Sequence, residues 1–283
     1  MSSLTVHATT DAAKFLAGIT DLVAREPVLT SVVATNAARA VGDPQAFQDP
    51  YWVWMEDPDG RPVAAAIHTP PRPPHLAAQH PEAGVALADH LAESGRPVCG
   101  IGGMRLVAEA FANRWAQLRP CRVPTIMDQG VYEATTVSAP TGVPGSHRTS
   151  TASDVRLLNE WARGFIAHTH QPLPAGEDII TDKIVGGAMW LWEQEGEPVS
   201  MAYASPPAGG VSRVSWVYTP PEHRRHGYAS AVVAAVTRAQ LEVGNRCMLY
   251  TDLANPTSNG IYQAIGYRRI GDAVILAFDG SGC

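Results

Sequence analysis

The sequence has few cysteines, no long hydrophobic run and no excess of positive charge, and each absence excludes a class of protein. Its four cysteines in 283 residues stand at no spacing typical of a zinc site, so we expect free thiols of a reducing compartment. The formal net charge of −6 argues against a general surface for nucleic acids or anionic membranes. The cysteines are Cys99, Cys121, Cys247 and Cys283.

The amino-terminal residues, MSSLTVH, lack the basic stretch and apolar core of a signal peptide, and no segment is apolar enough to span a membrane. We therefore expect a soluble cytoplasmic protein. A hydrophobic content of 45% and a charged content of 17% are typical of globular chains, and the length allows two domains of ordinary size.

A faint internal repeat indicates that two such domains are related. Residues 52–63, WVWMEDPDGRPV, resemble residues 190–199, WLWEQEGEPV, and a Pro-Pro pair follows each segment. Each copy is typical of a β-hairpin, and duplication of a domain of about 140 residues explains the match. Residues 139–147 are rich in turn formers and predict a linker, which gives domains of 1–138 and 148–283.

The second domain is predicted to alternate helices and strands. A helix over 151–167 begins at a Thr151 or Ser153 cap, and a weaker helical pattern covers 178–184. After the hairpin we predict strand 214–218, helix 230–242, strand 247–251, helix 257–265 and strand 273–278. In the first domain, residues 100–103 (GIGG) predict a turn from a strand to a helix.

The turn after strand 214–218 carries the most informative pattern, Arg224-x-x-Gly227-x-Ala229. Gly227 lets the chain bend and lets the backbone approach a ligand, and Ala229 is small for the same reason. The amides of residues 225–229 can fan around a pyrophosphate at the positive end of the following helix. A basic loop that only caps the helix gives the same pattern, so the turn alone leaves both interpretations open. The first domain has no counterpart of it.

Residues 249–267, LYTDLANPTSNGIYQAIGY, add a second pattern. They predict a strand, a break at Asn255-Pro, and a short helix that carries Tyr262 and ends at Gly266. The two patterns, in this order and at this separation, resemble the GNAT superfamily of acyl-CoA-dependent N-acyltransferases. The resemblance is specific from about Val199 to Asp272. The amino-terminal half resembles a degenerate copy, as in tandem GNAT proteins.

The resemblance implies an α/β (α+β) fold of two tandem domains, each a mixed, mostly antiparallel sheet flanked by helices. Strand 214–219 would part from strand 248–252 and offer backbone groups to the pantetheine arm of acyl-CoA, while the Arg224 turn would hold the pyrophosphate. The implied donor-binding residues are Trp216, Val217, Tyr218, Thr219, Arg224, Arg225, His226, Gly227, Tyr228, Ala229, Ser230, Asn255, Asn259 and Tyr262.

The implied activity is direct transfer of an acetyl or other acyl group from acyl-CoA to an amine, without a metal or a covalent enzyme intermediate. A backbone amide near Val217 or Tyr218 would stabilise the oxyanion. Tyr262 would donate a proton to the departing thiolate as the general acid.

The general base is open, because no Asp or Glu lies within residues 214–219, where some family members carry one. Glu222 and Asp252 are candidates, although Asp252 can equally cap the turn that follows it. Tyr203 and His168 are further candidates. A water relay, or an amine that arrives deprotonated, needs no base from the chain.

The expected acceptor is a primary amine on a small molecule, and the expected assembly is a monomer or a homodimer. We expect no nucleic-acid partner and no membrane partner. Two alternatives differ in the donor or in the chemistry. One uses the thioester of an acyl carrier protein, and the other is a non-catalytic module that binds acyl-CoA.

Overall fold

The computed structural model describes residues 4–169, 180–185 and 188–279. This part of the chain contains both helices and strands, and none of these helices has both the length and the apolar character needed to cross a membrane. The elements up to residue 134 are β1 (Thr5–Thr9), α1 (Ala12–Gly18), α2 (Thr20–Arg25), α3 (Pro27–Gly42), β2 (Tyr51–Glu56), β3 (Pro62–His68), β4 (His75–Ala78), α4 (Pro81–Glu93), β5 (Gly100–Met104), α5 (Arg105–Leu118) and β6 (Thr125–Ala134).

The later elements begin with a short strand and end with a long one. In chain order they are β7 (Ser146–Thr149), α6 (Val155–Thr169), α7 (Thr181–Val185), β8 (Met189–Gln194), β9 (Glu197–Ala204), β10 (Val211–Tyr218), α8 (Tyr228–Glu242), β11 (Arg246–Asp252), α9 (Pro256–Ile265) and β12 (Arg268–Ala277).

These elements form two compact units. One contains the chain up to Val131, Thr251–Asn255 and the chain from Ile270. The other contains Tyr132–Tyr250 and Pro256–Arg269. The predicted domains, 1–138 and 148–283, stay a prediction.

Each unit is built on a sheet with one parallel pair of strands. In the first unit the strands are neighbours in the order β1-β2-β3-β4-β5-β12, and only β4 and β5 run parallel. In the second unit the order is β11-β10-β9-β8-β7, and only β10 and β11 run parallel. The predicted mixed, mostly antiparallel sheets with flanking helices are confirmed.

Helices cover both faces of each sheet, because side chains alternate between the faces along every strand. In the first unit, α4 and α5 bury one face and α1 and α3 bury the other. In the second unit, α8 and α9 pack on one face in a cluster that includes Val214, Val233 and Leu249, here called the α8 cluster. On the other face, α6 and α7 form the α6 cluster, which includes Leu158 and Ile184.

The two predicted hairpins are present, as β2–β3 and β8–β9. The connection that follows differs between the units. Two residues join β4 to α4, and α4 opens with Pro81 at its first turn, whereas nine residues join β10 to α8. The first unit therefore has no room for the glycine turn of the second, as the sequence predicts.

The GIGG segment does not form the predicted turn, because residues 100–104 are strand β5. A Cβ atom at Gly100 would meet the carbonyl oxygen of Leu276 in the neighbouring strand β12. Glycine is needed there for the close approach of two backbones, a long-range contact that has no local sequence signal.

The predicted cap of the helix at 151 is confirmed, and Thr151 provides it. The helix opens with a 3₁₀ turn at Ala152–Asp154, and Thr151 and Asp154 form a capping box. Arg148 donates two hydrogen bonds to the buried Asp154 carboxylate, at 2.7 and 2.9 Å, and a third to Glu193 at 2.7 Å. These contacts, above all the Arg148 hydrogen bonds, lower the pKa of Asp154 to about 2.

We expect Asp154→Asn to lower the free energy of unfolding by about 2 kcal/mol at pH 7. The folded-state pKa is depressed, so this stabilisation is present above the unfolded value of about 3.9 and disappears as the pH falls through 2. Denaturant unfolding of both proteins at pH 7 and below pH 3 measures the difference, which should shrink at the lower pH. Asp11→Asn is the control, because Asp11 caps α1 from an exposed position and asparagine caps equally well. An equal effect of both substitutions at pH 7 would contradict the role of the Arg148 contact.

Candidate active site

The candidate site begins where strand β10 leaves its parallel neighbour. Register pairs between β10 and β11 run from Val211 with Arg246 to Arg213 with Met248 and go no further. From Val214 to Tyr218, β10 has no partner in β11, although both strands continue. This is the separation that was expected between these strands, and it leaves backbone groups on one edge of β10 available to an added chain.

A β-bulge at Trp216 changes the direction of the side chains in this part of β10. Ser215 pairs with Tyr203 and Tyr218 pairs with Met201, so two residues of β10 oppose one residue of β9. Trp216 has a φ of 53°, which is rare for a bulky residue. In consequence Val214 and Val217 pack on the α8 cluster, whereas Trp216 and Tyr218 pack on the α6 cluster.

The predicted phosphate turn is an open loop of the backbone that leads into α8. After a 3₁₀ turn at Pro221–His223, Arg225 has a φ of 67° and Gly227 a φ of 82°. Gly227 is the N-cap of α8 and has no side chain to satisfy the first helical N–H groups. Within the described part of the chain, the backbone N–H groups of residues 225–230 donate to no acceptor. Several aligned donors at a helix N-terminus form a site suited to an anion.

Positive side chains surround this turn. Arg224 and Arg225 are exposed, and the Arg224 Nε donates a 3.1 Å hydrogen bond to the carbonyl oxygen of Thr219. The exposed His226 ring stacks on Tyr228, with 5.4 Å between the ring centroids. Tyr228 itself is buried, so its ring supports the His226 ring and is not open to a ligand.

Tyr262 lies on α9 and is half-buried. Its ring packs against the α8 cluster, as Val217 does, and meets the ring of Tyr267 edge to face at 6.0 Å between centroids. Loss of water around the phenol raises the pKa of Tyr262 to about 12. At neutral pH the hydroxyl group therefore keeps its proton, as a general acid requires.

Asp252 and Asn255 belong to the segment that is counted with the first unit. The Asp252 carboxylate accepts a 2.8 Å hydrogen bond from the backbone N–H of Ala254, and the Asn255 N–H donates to the Asp252 carbonyl oxygen at 3.1 Å. Asp252 thus caps the turn that follows it. Of its two predicted roles, general base and turn cap, the contacts show the second. The donor contacts of Asn255 and of the half-buried Asn259 stay predictions.

The other base candidates differ in exposure. Glu222 is exposed on the 3₁₀ turn, and His168 is exposed in the last turn of α6. Tyr203 is half-buried and packs on the α6 cluster beside Trp216. The positions of these three residues do not single out one of them as the general base, and the identity of the base stays open.

Cys247 is fully buried in β11, where burial raises the pKa of its thiol to about 11. A thiol in this state is a poor nucleophile at neutral pH. Cys247 is therefore a poor candidate for a covalent acyl intermediate.

The site features missed by the sequence analysis are the bulge at Trp216 and the aromatic side chains around it. Phe165 of α6 lies 5.1 Å from Trp216 between ring centroids, and Tyr203 packs on the same face of the sheet. The bulge depends on pairing with β9, so the local sequence gives no signal of it. The order of hairpin, parted parallel strands, glycine turn and helix characterises this unit.

Comparison with known proteins agrees with that order. Residues 199–275 match the family model described as FR47-like protein. A GCN5-related N-acetyltransferase from Sphaerobacter thermophilus is 16% identical, with a TM-score of 0.60 over 99% of this chain and 97% of that one. The chain has the tandem GNAT fold. The predicted resemblance to the GNAT superfamily is thereby confirmed.

Other structures with the GNAT fold are also similar over the full length. A tandem GNAT protein from the clavulanic acid biosynthesis pathway is 14% identical, with a TM-score of 0.58 over 99% of this chain and all of that one. A GNAT-family acetyltransferase from Colwellia psychrerythraea is 10% identical, with a TM-score of 0.55 over 98% and 100% of the two chains. A search of curated protein sequences finds no match. Structural similarity over the full length, at identities this low, shows the fold alone. The reaction has to be inferred from the residues of the candidate site.

Proposed function

We propose that this protein is an N-acyltransferase that moves an acetyl or another acyl group from acyl-CoA to the primary amine of a small molecule. The observation that carries the proposal is the turn at residues 225–230. Its backbone N–H groups have no acceptor in the described chain, and it lies at the end of a strand that has parted from its neighbour. Similar structures are named as N-acetyltransferases, which makes acetyl-CoA the first donor to test.

The residues present fit acyl-CoA. The turn supplies backbone donors, the dipole of the 15-residue helix α8 and two exposed arginines for a pyrophosphate. The edge of β10 from Val214 to Tyr218 supplies main-chain groups for the amide-containing pantetheine arm. A Cβ atom at Gly227 would lie 2.8 Å from a methyl carbon of Val143, so the turn has no room for a side chain there.

Acyl-CoA supplies a thioester carbonyl that an amine can attack. In this proposal, a backbone amide at Val217 or Tyr218, next to the bulge, donates to the oxyanion that forms during attack. The Tyr262 hydroxyl donates its proton to the sulfur as the carbon–sulfur bond breaks. The nitrogen of the attacking neutral amine loses a proton to water as the amide forms, and the Tyr262 oxygen takes a proton back from water.

Product formation from acetyl-CoA and longer acyl-CoAs across a panel of primary amines tests the proposal. Release of CoA should be followed by chromatography, since the exposed Cys99 would react with a thiol reagent. Arg224→Ala combined with Arg225→Ala should raise the Kd for the donor several-fold. Arg238→Ala, on an exposed part of α8, is the control and should not.

The two alternatives give different outcomes. Transfer only from a carrier-protein thioester, with no effect of the arginine substitutions, would favour the carrier-protein donor. Tight binding of acyl-CoA without transfer to any amine would favour a binding module. The absence of both donor binding and acyl transfer would refute the proposal as a whole.

A further inference from the structure

Lysine is rare in this chain. Of its 21 lysine and arginine residues only two are lysines, Lys14 and Lys183. Lys14 is exposed on α1 in the first unit, whereas Lys183 is half-buried on α7 in the second. The second unit thus has a single lysine side chain, and its amine is on the face of the sheet covered by α6 and α7.

The Lys183 ammonium lies against two aromatic rings of this face. Its Nζ is 5.8 Å from the centroid of the Trp216 ring and 5.9 Å from that of Tyr203. Both distances are within the range of cation–π attraction, which is stronger where water is excluded. Phe165 also packs against Trp216 and helps to hold that ring in place.

Trp216 is also the residue at which β10 bulges away from regular pairing. The backbone amides of Val217 and Tyr218 follow it directly, and one of them is the oxyanion donor of the proposed reaction. The bulge puts the Trp216 ring on the α6 face, while Val217 and Tyr262 pack on the α8 cluster. The Lys183 amine thus lies against the ring of the residue that directly precedes the candidate oxyanion donors.

We propose that Lys183 is an internal acyl acceptor, so that the protein acylates its own Lys183 side chain from acyl-CoA. This inference rests on the proposed acyltransferase function and adds a defined acceptor to it. The same rings, Tyr203 and Trp216, would then recognise the ammonium group of an external amine, and Lys183 would compete with it.

The reaction is balanced without a further reagent. The Lys183 ammonium first loses a proton to water, and the neutral amine attacks the thioester carbonyl carbon. A carbon–nitrogen bond forms and the carbon–sulfur bond breaks. The sulfur takes the proton of Tyr262, and the tyrosinate recovers a proton from water. The nitrogen loses its second proton to water and becomes a neutral amide. The products are acyl-Lys183 and free CoA.

The experiment is incubation of the full chain with isotopically labelled acetyl-CoA in the absence of any amine, followed by peptide mass mapping. Lys14 reports spontaneous chemical acetylation in the same molecule. We expect Lys183 to be labelled at least about tenfold faster than Lys14, because it is held beside the donor. Tyr262→Phe should slow labelling of Lys183 and leave that of Lys14 unchanged.

Lys183→Arg is the matched variant, since arginine keeps a cation against the two rings and offers no acceptor amine. It should lose the label at position 183 without a change in Tm. Equal labelling of both lysines, or labelling of Lys183 that does not depend on Tyr262, would overturn the proposal. If external amines are acetylated while Lys183 stays unlabelled, only this inference fails. If no amine and no lysine is acetylated, the proposed function fails with it.

Discussion

Replacing Gly227 by alanine is expected to weaken the binding of acetyl-CoA at least about tenfold. Gly227 has a φ of 82°, a left-handed conformation that costs an L-residue roughly 1–2 kcal/mol. Relief of this strain would shift the turn and its N–H groups, and a resulting loss of about 1.4 kcal/mol in binding corresponds to a tenfold rise in Kd. The added Cβ would also lie 2.8 Å from a methyl carbon of Val143, so either the turn or that side chain must move.

The effect should fall on the donor because Gly227 is the N-cap of α8. Its conformation directs the N–H groups of residues 225–230, which have no acceptor in the described chain. A shift of this turn changes the direction of several donors together, whereas loss of one surface charge changes only one contact. This substitution should therefore exceed the effect of removing either arginine alone.

Gly244→Ala is the matched control at the other end of the same helix. Gly244 has a φ of 85°, and a Cβ atom there would meet no atom within 4 Å. Both substitutions carry a similar backbone strain, so both should lower the Tm, but only Gly227→Ala should raise the Kd. Calorimetric titration with acetyl-CoA measures the difference. A Kd that is the same in the two variants would show that the turn does not bind the donor.

The parts of this fold that depend on neighbouring residues could be predicted from the sequence. The hairpins follow from aromatic and apolar strands around a glycine turn, and the start of α8 follows from Gly227. Similarly, α9 follows the break at Asn255-Pro and ends before Gly266. Each of these signals acts within a few residues, so no knowledge of distant contacts was needed.

The parts that depend on distant pairing could not be predicted. Strand β12 pairs with β5, which lies more than 160 residues earlier, and Gly100 is a glycine because of that contact. The 16-residue helix α3 was not predicted, because its small apolar residues give little contrast between its faces. The register shift at Trp216 depends on β9.

The same distinction applies to the candidate site. The glycine turn was predicted from residue types that permit it, whereas the parted strand was predicted only from the resemblance to the GNAT superfamily. The side-chain roles of the site depend on the surroundings. Tyr228 is buried, and Asp252 caps a local turn. The aromatic surface at Trp216 faces α6 only because the bulge reverses the alternation of β10.

Tyr262→Phe is expected to lower kcat by about 10²-fold or more, which is the usual contribution of a positioned general acid. Burial raises the pKa of this phenol to about 12, so the group stays protonated across the working pH range. A thiolate that leaves in the same desolvated surroundings is penalised as well, because burial disfavours both anions. Proton transfer from Tyr262 removes the charge from the sulfur where water cannot solvate it. The donor Kd should change little, since phenylalanine preserves the ring packing on the α8 cluster.

The appropriate control is Tyr267→Phe, because Tyr267 is the ring that Tyr262 meets edge to face. The hydroxyl groups of Tyr267 and Thr237 form a buried 2.8 Å hydrogen bond. Loss of this hydrogen bond should lower the free energy of unfolding by about 1 kcal/mol and leave kcat nearly unchanged. Because Tyr262 titrates near 12, the pH profile of kcat should show no decline from this group between pH 7 and 10. Steady-state kinetics of the three proteins over that range measure both effects. An unchanged kcat in Tyr262→Phe would remove Tyr262 from the mechanism and leave the sulfur to be protonated by water.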